Sequence, residues 1–142
     1  MTSRENRVIP VLLGGAVCIA LSMVLSTILS NVTLWITVGG GVPITQVYAY
    51  VWSKPWFIVL GFLVQIFASG MGGYTAAAYG LYQPYLNALI VGVLLMAWYL
   101  VMLATPIQTM NVDTLAMVSW FLLPAPAAIF GAYIRRRKKA GP

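Results

Sequence analysis

"SGMGGYTAAAYG", residues 69–80, decides how this chain is to be read. In water so many glycines and alanines would interrupt a helix, because each glycine costs ~1 kcal/mol relative to alanine. In a bilayer the balance differs, since an open backbone there has no water to bond. Drawn as a helix at ~100° per residue, the run and its approach become lopsided in size. Gly61, Gln65, Ala68, Ser69, Gly72, Gly73, Ala76 and Gly80 fall on one side. Leu63, Val64, Phe67, Met71, Tyr74 and Ala78 fall on the other. Such a helix offers a flat face against which a second backbone can lie closely. Close van der Waals contact of this kind associates helices in lipid.

The rest of the chain supports a bilayer setting. Of its 142 residues, 61% are hydrophobic and only 7% are charged, far from the soluble average. Four apolar runs approach or exceed ~18 residues, the length of a membrane span. They cover residues 8–30, 55–79, 85–104 and 114–134. At ~1.5 Å rise per residue each can cross a ~30 Å hydrocarbon layer. The expected fold is therefore an all-α integral membrane protein, a single domain of four transmembrane helices in a bundle.

Charge placement orients it. Arg4 and Arg7 precede the first run, and Arg135, Arg136, Arg137, Lys138 and Lys139 follow the last. Only Lys54 and Asp113 lie between. Basic residues remain on the cytoplasmic side, so four spans with basic ends place both termini inside and residues 135–142 as a basic cytoplasmic tail. The basic cluster reads as a topology signal that also touches anionic headgroups. The net charge of +6 needs no nucleic-acid partner, and the chain has no room for a domain to hold one. The short, economical chain fits a bacterial inner membrane.

Residues 31–54 read as the long outer loop, with "VGGGVP" at 38–43 as a flexible break and Trp35, Tyr48, Tyr50, Trp52 and Trp56 at headgroup level. Residues 44–52 read as a short interfacial helix or strand. "NVT" at 31–33 matches a glycosylation acceptor but sits against the membrane surface. "SKPW" at 53–56 opens the second span, with Ser53 as cap and Pro55 in its first turn. "GLYQP" at 80–84 is a turn short enough to make spans two and three antiparallel neighbours. Asp113 reads as the cap of span four.

Span one repeats the small-residue device. Gly14, Cys18, Ser22, Ser26 and Ser30 recur every fourth residue, and spans one and two are expected to form a tight pair or to present a subunit contact. Span three is bulkier, with Ala88 and Gly92 as its small pair and Asn87 one turn inside. Span four carries "PAPAA" at 124–128. Pro124 and Pro126 deprive the carbonyls of Trp120 and Leu122 of their usual donors and must kink the helix.

Chemistry-bearing residues are few. Histidine is absent, Glu5 and Asp113 are the only acids, and Cys18 is the only cysteine. No catalytic dyad, metal cluster or phosphate-binding loop can be assembled from these residues, so no cofactor and no enzymatic activity is expected. No acid or base lies within a span, where pumps usually need one. The polar candidates for an inter-helix bond or a solute path are Gln65 and Asn87, with Pro124 and Pro126 shaping the backbone.

The segment "GGYTAAAYGLYQPYLNALIVG", residues 72–92, resembles a pattern in small four-helix bacterial inner-membrane proteins of unknown function. These have G-G-Y-x-A-A near the end of span two, a short turn, and a span with a small residue facing it. The resemblance implies a compact bundle and no activity. The membrane glutamate of small multidrug exporters and the threonine–phenylalanine arrangement of fluoride channels are missing. The functional expectation is a non-catalytic accessory or assembly subunit with a membrane-protein partner. The alternative is a homo-oligomeric channel or facilitator.

Overall fold

The computed structural model describes residues 8–38, 54–80, 83–104, 118–119 and 121–140. It is all-helical. In chain order, α1 is Val8–Val38, α2 is Pro55–Tyr79, α3 is Pro84–Ala104 and α4 is Pro124–Ala140. The first three are long and apolar enough to cross a membrane, while α4 is shorter, with 17 residues. The expectations for Glu5, Tyr48, Tyr50, Trp52, Ser53, Asp113, Trp120, the basic residues Arg4 and Arg7, and the segments 39–52 and 105–112 lie outside the described residues.

Helix α1 continues eight residues further than the hydrophobic count implies, through Asn31 to Val38. The polar pair Ser30–Asn31 reads as an exit, but the helix absorbs its polar groups locally. Thr33 is fully buried and donates its hydroxyl to the Leu29 carbonyl at 2.7 Å. Thr27 and Thr75 do the same toward Met23 and Met71, each at 2.8 Å. A threonine that bonds its own helix leaves no unsatisfied group for lipid to meet. The "NVT" motif is thus helical and its threonine buried, not part of a loop.

The start of α2 also differs in detail. Lys54 occupies the cap position with extended backbone (φ −93°, ψ 117°) and no side-chain cap bond. Pro55 explains this. It fixes its own φ within the first turn and forces the preceding residue out of the helical region. At the other end the Gly80 N–H closes α2 on the Ala76 carbonyl at 2.9 Å. The turn into α3 places Gln83 at φ 54°, and its carbonyl accepts the N–H groups of Leu86 and Asn87 at 3.0 and 3.1 Å.

Of the span expected at 114–134, residues 118–119 and 121–134 are described, and the helix is interrupted within them. Residues 121–122 are helical, Leu123 is a turn, and a new helix opens at Pro124. The Leu123 N–H bonds the Ser119 carbonyl at 3.0 Å, and the Leu123 carbonyl accepts from Ala127 at 3.2 Å. The break falls between these bonds, where Pro124 and Pro126 have no N–H to give. Pro124 is fully buried in the bundle and Pro126 points outward. Beyond the apolar part, α4 stays helical through Arg135–Lys139. Cations in a last turn are stabilised by the helix dipole.

α2 is the hub of the bundle. It packs against α1 on one side and α4 on the other, with α3 touching all three. Its buried residues are Phe57, Gly61, Gln65, Ala68, Ser69, Gly72, Gly73 and Ala76. Adjacent glycines serve different neighbours. A Cβ on Gly72 would stand 2.7 Å from the Gly14 carbonyl oxygen, and one on Gly14 would stand 2.6 Å from the Gly72 carbonyl oxygen. A Cβ on Gly73 would instead strike the Ala128 carbonyl of α4, with the Ala128 Cα at 2.6 Å. One turn away, Gly131 of α4 lies on the Gly70 carbonyl. Two cores follow. Val11, Cys18, Ala68, Ala76, Val91 and Leu95 fill the space among α1, α2 and α3. Ala88, Ala128 and Ala132 fill that among α2, α3 and α4.

Gly72→Ala and Gly73→Ala should each lower the stability of the detergent-solubilised protein by about 1–3 kcal/mol, because rigid backbone blocks the added methyl. Gly15→Ala, with nothing within 4 Å of its Cβ, should unfold at the same temperature as the wild type or slightly above it. Equal midpoints for all three variants would refute the two-sided contact.

Candidate functional site: a polar cluster inside the bundle

The close approach of α1 and α2 at Gly14 and Gly72 sets the spacing of the turns that follow. One turn along α1, Cys18 is fully buried, and its Sγ donates to Ser69 Oγ of α2 at 3.9 Å. One turn further, Ser22 Oγ donates to Gln65 Oε1 at 3.5 Å. Every fourth residue of α1 thus meets every third or fourth residue of α2 running the other way. Gln65 is 3% exposed. Its Nε2 donates to Ser69 Oγ at 3.1 Å, and its Oε1 also accepts the hydroxyl of Tyr99 from α3. Five side chains from three helices therefore form one connected network around a single amide.

The chemistry of this network is that of a brace. A glutamine amide has a carbonyl with two lone pairs and an NH₂ with two donors. Here both lone pairs and one donor are engaged, and none of the five groups carries a formal charge at neutral pH. A buried amide left unbonded would be expensive, while one bonded to three neighbours fixes their relative positions. Among the described residues no group of three metal-ligating side chains occurs.

The other named positions separate from this cluster. Ser26 of the α1 ridge is exposed and Ser30 is half-buried. A four-residue repeat drifts around a 3.6-residue helix, so the ridge leaves α2 after Ser22. Asn87 is buried, but it packs at the α2–α3 turn, where a Cβ on Gly80 would run into its side-chain amide. That turn is roughly 22 Å from Gln65 along α2 at ~1.5 Å per residue. Gln65 and Asn87 are therefore not brought to one place. Ala76 and Gly61 lie buried on α2. Arg135 is half-exposed, and Arg136, Arg137, Lys138 and Lys139 are exposed at the end of α4.

Two contributors escape a sequence reading. Tyr99 sits in the bulkier half of span three, and nothing in its spacing marks the phenol as a donor. The α4 face that meets Gly70 and Gly73 was legible in principle. "PAPAAIFGA", 124–132, places Ala125, Ala128, Gly131 and Ala132 at helical spacing, but the prolines dominate its reading. Gly92 of α3 completes that face, since its Cβ would lie 2.5 Å from the Ala125 Cα.

Tyr99→Phe should destabilise the protein by about 0.5–1.5 kcal/mol, the range of inter-helix hydrogen bonds in membranes. Combining it with Gln65→Leu in a double-mutant cycle should reveal a coupling of similar size. A coupling of zero within error would remove the Tyr99–Gln65 bond from the account. Compared with known proteins, the chain matches no family model, no curated protein and no solved structure.

Proposed function

We propose that the chain is a non-catalytic small integral membrane protein that serves as an accessory or assembly subunit of a larger membrane complex. One observation carries this reading. The polar side chains of Cys18, Ser22, Gln65, Ser69 and Tyr99 are spent on one another inside the bundle, and the outward faces are mostly apolar. On α1 the exposed residues include Val24, Ile28 and Val32 at four-residue spacing, with Trp35 81% exposed near its end. A chain built this way acts through contact, not through a reactive group.

The alternative, a homo-oligomeric channel or facilitator, needs a polar path. The engagement of the Gln65 amide on three sides and its distance from Asn87 favour the contact reading. For location we propose the inner (cytoplasmic) membrane of a bacterium, multi-pass, with both termini cytoplasmic. The basic residues at both ends of the sequence support it. Reporter fusions at the two ends should therefore both report the cytoplasm; opposite locations would mean that the segment ending in α4 does not cross.

Native mass spectrometry of the tagged chain, extracted from its own host in mild detergent, tests the function directly. A distinct second polypeptide at a fixed ratio is the expected result. A homo-oligomer without other polypeptides would contradict the subunit reading and direct attention to solute flux in liposomes.

A further inference from the structure

At the end of the bundle where α2, α3 and α4 meet, a pocket of about 700 Å³ opens to the surface. Ala77 of α2 contributes to its apolar wall, Gln83 and Tyr85 belong to the α2–α3 turn side, and Arg135, Arg136 and Lys139 of α4 line the opposite side. The basic residues reach it together because α4 remains helical beyond its apolar part, and positions 135, 136 and 139 share one helical face. Arg137 and Lys138, from the same basic run, do not line it.

The two guanidiniums are held in place. Arg135 lies over the Tyr74 ring with 5.7 Å to its centroid, and Arg136 over the Tyr85 ring with 5.5 Å. Both distances are within reach of cation–π attraction. The rings hold the cationic groups without neutralising them, and among the described residues no acid lines the pocket. Paired guanidinium forks beside an ammonium match the oxygens of a phosphate. The setting selects the kind of phosphate. The pocket sits at the ends of helices apolar enough to cross a membrane, its wall is partly apolar, and Leu86 and Tyr133 nearby expose apolar surface. A basic pocket between helix ends at the membrane surface suits a lipid headgroup.

We propose that this pocket binds the phosphodiester headgroup of an anionic glycerophospholipid, with Arg135 and Arg136 on the phosphate oxygens and Lys139 at the rim. The acyl chains leave along the apolar surface beside α3 and α4. The site is independent of whether the protein has a partner subunit.

The test uses the full chain purified in a neutral detergent and titrated with phosphatidylglycerol, bound lipid being counted by native mass spectrometry. One tightly bound lipid is expected, with phosphatidylcholine binding at least about tenfold more weakly. Arg135→Gln with Arg136→Gln should weaken phosphatidylglycerol binding about tenfold or more, since each basic residue near a membrane surface contributes appreciably. Arg137→Gln with Lys138→Gln removes the same charge outside the pocket and should change binding less than about threefold. All four positions are on the surface or half-exposed, and unchanged thermal midpoints will confirm that the variants fold. Equal losses from the two double variants would overturn the pocket in favour of a diffuse basic field, and no loss from either would overturn it outright. Displacement of the lipid by low-millimolar inorganic phosphate would overturn the assignment to a lipid and point to a soluble phosphate instead.

Discussion

Two adjacent residues without side chains, Gly72 and Gly73, let one helix touch two others backbone to backbone. Everything else in the bundle is arranged around that contact. In lipid the apolar side chains gain nothing by leaving one hydrocarbon environment for another, so closeness of approach is what remains to hold helices together. Gly72 brings in α1 through Gly14, and Gly73 brings in α4 through Ala128. A residue with a Cβ at either position would push one neighbour away and open the core on that side.

The two polar features of the molecule are consequences of this geometry. On the α1 side, close approach stacks Cys18 on Ser69 and Ser22 on Gln65, and Tyr99 of α3 completes a network that suits only these three helices in this register. On the α4 side, close approach sets the basic end of the helix beside the α2–α3 turn, so that Arg135 and Arg136 meet Tyr74 and Tyr85. One feature is buried and bonded to itself. The other is open and positively charged, and it is the part of the described bundle best suited to meet a charged ligand.

Much of the fold was legible because size and hydropathy are local properties. The wheel of α2 placed Gly61, Gln65, Ala68, Ser69, Gly72, Gly73 and Ala76 together, and all are buried. The short turn at Gly80–Pro84 implied antiparallel neighbours, and α3 begins at Pro84. What escaped was non-local or competed with a stronger signal. That a single small face is shared between two partners follows from three-dimensional packing, not from periodicity. The extension of α1 to Val38 was hidden by Asn31 and Thr33, whose polarity counts against a helix until the Thr33 hydroxyl finds the Leu29 carbonyl. The separate helix at Pro124 follows from the prolines, but its small face was masked by them. The role of Tyr99 depends on which face of α3 turns toward Gln65, and hydropathy carries no record of that.

The central claim is that neighbouring glycines of α2 serve different helices. Double-mutant cycles in reversible unfolding from mixed micelles test it most directly. Gly14→Ala and Gly72→Ala should be strongly non-additive, because either methyl alone already separates α1 from α2 and the second then meets open space. Gly14→Ala and Gly73→Ala should add within about 0.5 kcal/mol, since they act on separate interfaces. Additivity in the first pair, or coupling of equal size in the second, would contradict the account.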